Sequence, residues 1–232
     1  MRKLLILSLA IASILNVLNA QDTSVNDSLP PIDMQRQMFI YSLAKKYNDP
    51  LLAKNALYNI LAQNPGNTTV MDSLAVLYYQ GQNYVPAALI SQDILKLNPN
   101  DLLATEIGAY SFENLGVYAK AIPLYEKMYL SNNNIELLYQ IAFLQMNAKR
   151  YEEATLNIET LLADPEVEKR PLLFSLKDGR NQQVPMNAAV YRLKGMLEED
   201  RGNTSEAKAA YEKALEITPT FESVKELLSE LE

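Results

Sequence analysis

The sequence predicts an all-α chain folded as a solenoid of stacked helix pairs. Three observations lead there. Residues that break helices are scarce, with 7 Gly and 11 Pro among 232 residues. One pattern of small, aromatic and proline residues recurs about every 34 positions. Between the recurrences, apolar residues fall at i, i+3, i+4 and i+7, the spacing of one helix face.

The period is clearest at the prolines. Pro65 and Pro99 stand 34 residues apart, and an alanine precedes each by twelve, at Ala53 and Ala87. The alanine recurs at Ala121 and, 33 further on, at Ala154. The last copy carries Gly195, Ala207, Tyr211, Ala214 and Pro219 in the same phase. A fixed period of this length is the signature of stacked repeats, each too small to bury its own apolar face. Within the second copy, Met71, Leu74, Ala75 and Tyr78 form the stripe of a first helix, and Ala87, Ile90, Ile94 and Leu95 that of a second. Ala75, Ala109, Ala142 and Gly195 let the first helix approach the second closely, and the periodic alanines do so from the other side. Proline ends the second helix, because it biases the preceding residue away from helical geometry. The turns between paired helices contain Gly81 and Gly202, where glycine is expected to supply a positive φ.

This pattern resembles the tetratricopeptide repeat, a helix-turn-helix unit of 34 residues. The resemblance covers 34–165 and 188–221 and implies a right-handed α-solenoid of about five repeats. The copies depart from it in places: Asn133 replaces the proline of the third, Pro165 comes one residue early, and Pro123 lies inside a helix, where a local distortion is expected. In the fifth copy Lys194 and Glu198 occupy positions that are usually apolar, so Leu193 and Leu197 are expected to take over the stripe.

The ordered expectation along the chain is a leader over 1–20, a linker over 21–32, four repeats over 33–165, an insertion over 166–187, a fifth repeat over 188–221 and a capping helix over 222–232. The leader has Arg2 and Lys3, then an apolar run from Leu4 to Leu15. A basic start followed by a short apolar stretch is the form of a secretory signal peptide, and cleavage is expected between Ala20 and Gln21. The insertion holds Asp178-Gly179 between extended-type runs, a strong hairpin signal, with an irregular loop as the alternative. The final segment has an apolar stripe of Phe221, Val224, Leu227, Leu228 and Leu231, suited to closing the open end of a solenoid.

The residue inventory narrows function. The chain has no Cys, no His and no Trp. Disulfides, thiol catalysis, a cysteine-linked lipid and any nucleophile–histidine pair are excluded. No Gly-rich phosphate loop and no calcium-loop pattern occurs. The runs Glu198-Glu199-Asp200 and Glu152-Glu153 are the remaining candidates for a cation or for acid–base work. The net charge of -7 argues against nucleic acid or an anionic membrane as a partner. No enzyme activity, no cofactor and no metal are expected, and after cleavage no membrane anchor.

The resemblance implies a binding surface on the concave face lined by the first helix of each pair. Carried over by position, that face comprises Met38, Ser42 and Lys45 in the first copy, Asp72, Val76 and Tyr79 in the second, Glu106, Tyr110 and Glu113 in the third, Tyr139, Phe143 and Met146 in the fourth, and Arg192 and Met196 in the fifth. The implied function is an interaction scaffold of the bacterial envelope that holds a protein or peptide partner and resides in the periplasm. Tyrosines as stacking platforms leave a glycan or small-ligand module as the alternative, and the insertion or a solenoid end leaves self-association.

Overall fold

The computed structural model of the chain describes residues 31–231. The expected signal peptide, its cleavage site at Ala20 and Gln21, and most of the expected linker lie outside the described residues. Ile32, the last residue assigned to the linker, already begins a helix.

Among the described residues five helix pairs follow one another. They are α1 (Ile32–Lys46) with α2 (Pro50–Gln63), α3 (Thr68–Gln80) with α4 (Tyr84–Leu97), α5 (Leu102–Asn114) with α6 (Tyr118–Asn132), α7 (Ile135–Asn147) with α8 (Tyr151–Ala163), and α9 (Met186–Asp200) with α10 (Thr204–Ile217). A last helix, α11 (Glu222–Glu230), closes the array. Each helix packs on its neighbours in sequence, and α3 also meets α5. The all-α solenoid is therefore the observed architecture, with one small sheet. Among the described residues no helix is long and apolar enough to cross a membrane.

Local chemistry sets the helix ends. The side chains of Asp49, Asn67, Asp101 and Asn134 cap α2, α3, α5 and α7 by accepting from the N–H groups of Leu52, Val70, Ala104 and Glu136. Asn64 and Asn98, each just before a proline, leave the helix with φ of -142° and -131°. Asn133, in place of the third proline, ends α6 in the left-handed region at φ 50°. Proline is not the only residue that stops this helix, because asparagine tolerates that conformation. Pro123 sits inside α6, which continues through it as one helix.

The turns within the pairs correct one expectation. Gly81 has an ordinary φ of -79°, and the positive φ falls on its neighbour Gln82. The turn residue is left-handed in every pair, at Asn48, Gln82, Gly116, Lys149 and Gly202. Only two of the five are glycine.

The small residues act as expected. Ala75, Ala109, Ala142, Ala87, Ala121, Ala154 and Ala207 are all fully buried. At Gly195 even a methyl group would collide with the ring of Tyr211. Leu193 and Leu197 are buried in α9, taking the stripe that Lys194 and Glu198 do not supply.

Between α8 and α9 a 3-10 turn over Pro165–Lys169 leads into β1 (Pro171–Ser175), which pairs antiparallel with β2 (Asn181–Pro185), Leu172 opposite Val184 and Phe174 opposite Gln182. The connection turns at Asp178-Gly179. Gly179 has φ 90° and donates to the Leu176 carbonyl, while the Asp178 carboxylate accepts from the Arg180 N–H at 2.9 Å. A two-stranded ribbon is marginal alone. Here Leu172, Phe174 and Val184 join a core shared with α7 to α11, and Phe174 meets Phe221 edge-on at 5.0 Å between ring centres. The Gln182 side chain ties β2 to the cap by bonding Thr220 O at 2.6 Å and Glu222 N at 3.1 Å. Phe221 and Val224 are fully buried, so α11 does cover the end of the stack.

Candidate functional site

Three repeating positions on the first helix of each pair carry the expected groove. The first holds Asp72, Glu106, Tyr139 and Arg192 in pairs two to five. The second holds Val76, Tyr110, Phe143 and Met196. The third holds Tyr79, Glu113 and Met146, with Glu199 in the last pair. Adjacent helices are joined across these positions. Tyr79 of α3 and Tyr110 of α5 have ring centres 6.3 Å apart. Gln140 of α7 donates to Glu113 of α5 at 2.8 Å. Arg192 of α9 lies against the hydroxyl of Tyr139 in α7.

The middle of this face, over α3, α5 and the near side of α7, is open. Val76, Tyr79, Glu106, Tyr110, Glu113 and Phe143 are all partly exposed there. Four tyrosines form a ladder. Tyr84 meets Tyr79 edge-on at 5.9 Å, Tyr79 meets Tyr110, and Tyr110 meets Tyr125 edge-on at 5.7 Å. The Glu113 carboxylate takes one hydrogen bond from the Tyr125 hydroxyl and one from Gln140. Its orientation is thus set before any partner arrives.

Electrostatics on this face are one-sided. Burial raises the Glu106 carboxyl above its usual range. Burial, and then the Asp101 carboxylate at the start of α5, lift Asp72 from 3.8 to about 7. Asp72 Oδ1 is buried with no hydrogen-bond partner. Burial raises the Tyr79 and Tyr110 hydroxyls, helped by Tyr84, Glu106 and Glu113 at Tyr79 and by Glu106, Tyr79 and Glu113 at Tyr110, so both remain neutral donors at ordinary pH.

The far end of the face differs from expectation. Tyr139 and Met146 are core residues, 1% and 6% exposed, and do not line an open groove. Arg192 lies under the ring of Phe174, 5.4 Å from its centre. Phe174 of β1 comes down on Arg192 of α9, which lies against Tyr139, and this end of the groove is filled, while Met146 packs into the core shared by the last two pairs. Position in a repeat predicts which way a side chain points, but not what an insertion later places on it. At the other end, Met38 is half exposed on α1 and Lys45 lies 5.6 Å from the centre of the Tyr41 ring. Met196 is half-buried against the core of the last pair.

Tyr125, Gln140 and Tyr84 also belong to this site and were not singled out from sequence. One signal could have found the first. Glu113 and Tyr125 are twelve apart, as are Glu199 and Tyr211 at the same repeat positions, and both pairs are hydrogen-bonded, the second at 2.7 Å.

The carboxylate runs are tied into the fold. Asp200 accepts from Lys149 at 2.5 Å and from Tyr151 at 2.8 Å, Glu198 from Asn203 at 2.7 Å, and Glu199 from Tyr211. Glu153 pairs with Arg150, and Glu152 reaches Arg201 at 3.5 Å. These groups link the turns and helices of the last two pairs.

Comparison with known proteins gives the same architecture. Residues 188–221 match the tetratricopeptide repeat family model. No curated protein matches the sequence. Among solved structures, the chain is similar to YrrB, a TPR protein described as having an unusual peptide-binding site, with a TM-score of 0.60 at 14% identity over 82% of this chain and 89% of that one. It is similar to MamA, with a TM-score of 0.55 at 18% identity over 79% and 91% of the two chains. A MamA fragment from Desulfovibrio magneticus RS-1 gives 0.55 at 13% identity over 82% and 98%. At these identities the likeness to solved structures is one of fold. Residues 188–221 thus match one tetratricopeptide repeat, and the five stacked helix pairs have the fold of tetratricopeptide-repeat solenoids.

Proposed function

We propose that this protein is a non-catalytic interaction scaffold, exported to the periplasm of a bacterial cell, that holds a segment of a partner protein in the groove over α3, α5 and α7. Tetratricopeptide-repeat proteins generally mediate protein–protein contacts, and the peptide-binding description of YrrB accords with that use of the fold. The observation that carries the reading is the partly exposed rings of Tyr79 and Tyr110 beside a carboxylate already oriented by Tyr125 and Gln140. Tyrosine offers a large apolar area and a polar tip with little side-chain entropy to lose, which suits an interface. Export rests on the basic start and short apolar run of residues 1–20.

Two measurements test it. A photocrosslinking residue placed at Tyr110 should trap a defined partner in the native envelope, and the same residue at the exposed Leu130 of α6 should not. Equal trapping at both positions defeats the groove. Amino-terminal sequencing of the protein from its host should begin at Gln21, and a chain that still begins at Met1 defeats the export reading.

A further inference from the structure

We infer that the occupant of the groove is an extended, lysine- or arginine-rich segment of a partner protein. This rests on the groove reading above and adds the chemistry of what fills it.

Charge complementarity selects the occupant. The three helices that line the open groove, α3, α5 and α7, contain Asp72, Glu106, Glu113 and Glu136 and not one lysine or arginine. Bases flank it at its two ends. Lys45 of α1 lies by the Tyr41 ring, and Arg192 of α9 sits beneath Phe174. The second helices behave differently, since α4 and α6 mix Lys96, Lys120 and Lys127 with their acids. The absence of bases is thus a property of the groove-lining helices and not of the whole middle of the chain.

Geometry adds to charge. Side chains on one face of an extended peptide recur about every 6.6 Å. The ring centres of Tyr79 and Tyr110 are 6.3 Å apart, so alternate residues of such a segment meet successive rings. A cation over a tyrosine face is attracted by the ring, and more so where water is partly excluded. The hairpin closes the groove beyond Arg192, so a segment enters from the α1 side and its length is limited to the span of α3 to α7. An acidic segment would set its carboxylates against Glu106 and Glu113, a repulsion that works against the wrong partner.

The test uses the mature chain and three fluorescent peptides of equal length, alternating lysine–alanine, glutamate–alanine and serine–alanine, followed by anisotropy at low salt. The lysine peptide should bind about tenfold or more tighter than the glutamate peptide, and added salt should weaken it. Glu106→Gln and Tyr110→Ala should each weaken the lysine peptide severalfold. Tyr110→Phe, which keeps the ring, should retain most of the binding and guards against a folding defect in the alanine variant. Circular dichroism checks that all variants fold. If the glutamate or serine peptide binds as well as the lysine peptide and Tyr110→Ala abolishes both, the cationic occupant is overturned and the groove stands. If the lysine peptide binds but neither variant weakens it, or if no peptide binds at all, the inference falls together with the groove reading.

Discussion

The hydroxyl of Tyr211 donates to Glu199 at 2.7 Å, joining the second helix of the last pair to its first. Tyr125 and Glu113 make the same bond two pairs earlier. In the fourth pair these two positions are Ile158 and Met146, both buried and apolar. The last three pairs therefore match polarity across this contact: a phenol faces a carboxylate, or a hydrocarbon faces a thioether. Close approach at Gly195 leaves Tyr211 no room to move. Gly195→Ala should cost about 1–3 kcal/mol by overpacking. Tyr211→Phe should cost about 1 kcal/mol, for the lost bond to Glu199. Chemical denaturation measures both, and a neutral Gly195→Ala would show that the two helices adjust to each other.

The second pair breaks the pattern. Ser91 takes the position of Tyr125 and Tyr211, is fully buried, and its hydroxyl has no partner among the described residues. An unsatisfied buried hydroxyl costs stability, and alanine fits the same space. Ser91→Ala should raise stability by about 1 kcal/mol. A loss of stability on denaturation would mean that the hydroxyl is bonded in solution.

Gln82 holds a φ of 56°, where a side chain other than glycine is strained. The equivalent residues in the third and fifth pairs, Gly116 and Gly202, are glycine. Gln82→Gly should therefore be neutral to stabilising, by up to about 1 kcal/mol, although glycine costs entropy elsewhere in a chain. Gly202→Gln should do the reverse. Thermal melts of the two variants check the opposed signs.

Asp72 makes stability depend on pH in the direction opposite to most carboxylates. Between its ordinary 3.8 and about 7, the folded chain keeps a proton that the unfolded chain has released. That contribution is complete below about pH 4 and is lost as pH rises through 7. Asp72→Asn has no proton to lose. The melting temperature of the variant should gain on that of the parent from pH 5 to pH 8, and a constant difference over this range would refute the raised value.

Phe174 anchors the hairpin on Phe221 and over Arg192. Phe174→Ala should cost about 3 kcal/mol or more, as loss of a buried aromatic ring does. Hydrogen exchange should quicken in Leu172, Phe174 and Val184 ahead of α9 if the hairpin unseats separately. Tyr139 and Arg192 should become more reactive to solvent probes in the same variant. An unchanged stability would show that the ribbon contributes little to closing the groove.

The helix pairs, their period and the capping helix were legible because they rest on local rules. The i, i+3, i+4 spacing marks a face, the alanines mark close approach, and Pro65 and Pro99 mark ends. The hairpin was legible for the same reason, from Asp178-Gly179 between extended runs. The repeat also indicated correctly that Tyr79, Tyr110, Glu106 and Glu113 share one face.

Three features were decided by tertiary structure alone. The positive φ of the second turn fell on Gln82 and not Gly81, because the geometry of the helix pair places the left-handed residue at a fixed position whatever its type. Arg192 left the groove because Phe174 of the hairpin returns to cover it, and Tyr139 and Met146 because they pack into the core of the last two pairs. Glu113 gained its orientation from Tyr125 and Gln140, one on the partner helix and one on the next pair. Sequence by itself determined the helices, their repeat and the face each presents, since those follow from neighbours along the chain. Which part of that face stays open to a partner depended on contacts between residues far apart in sequence, and only the folded chain brings those together.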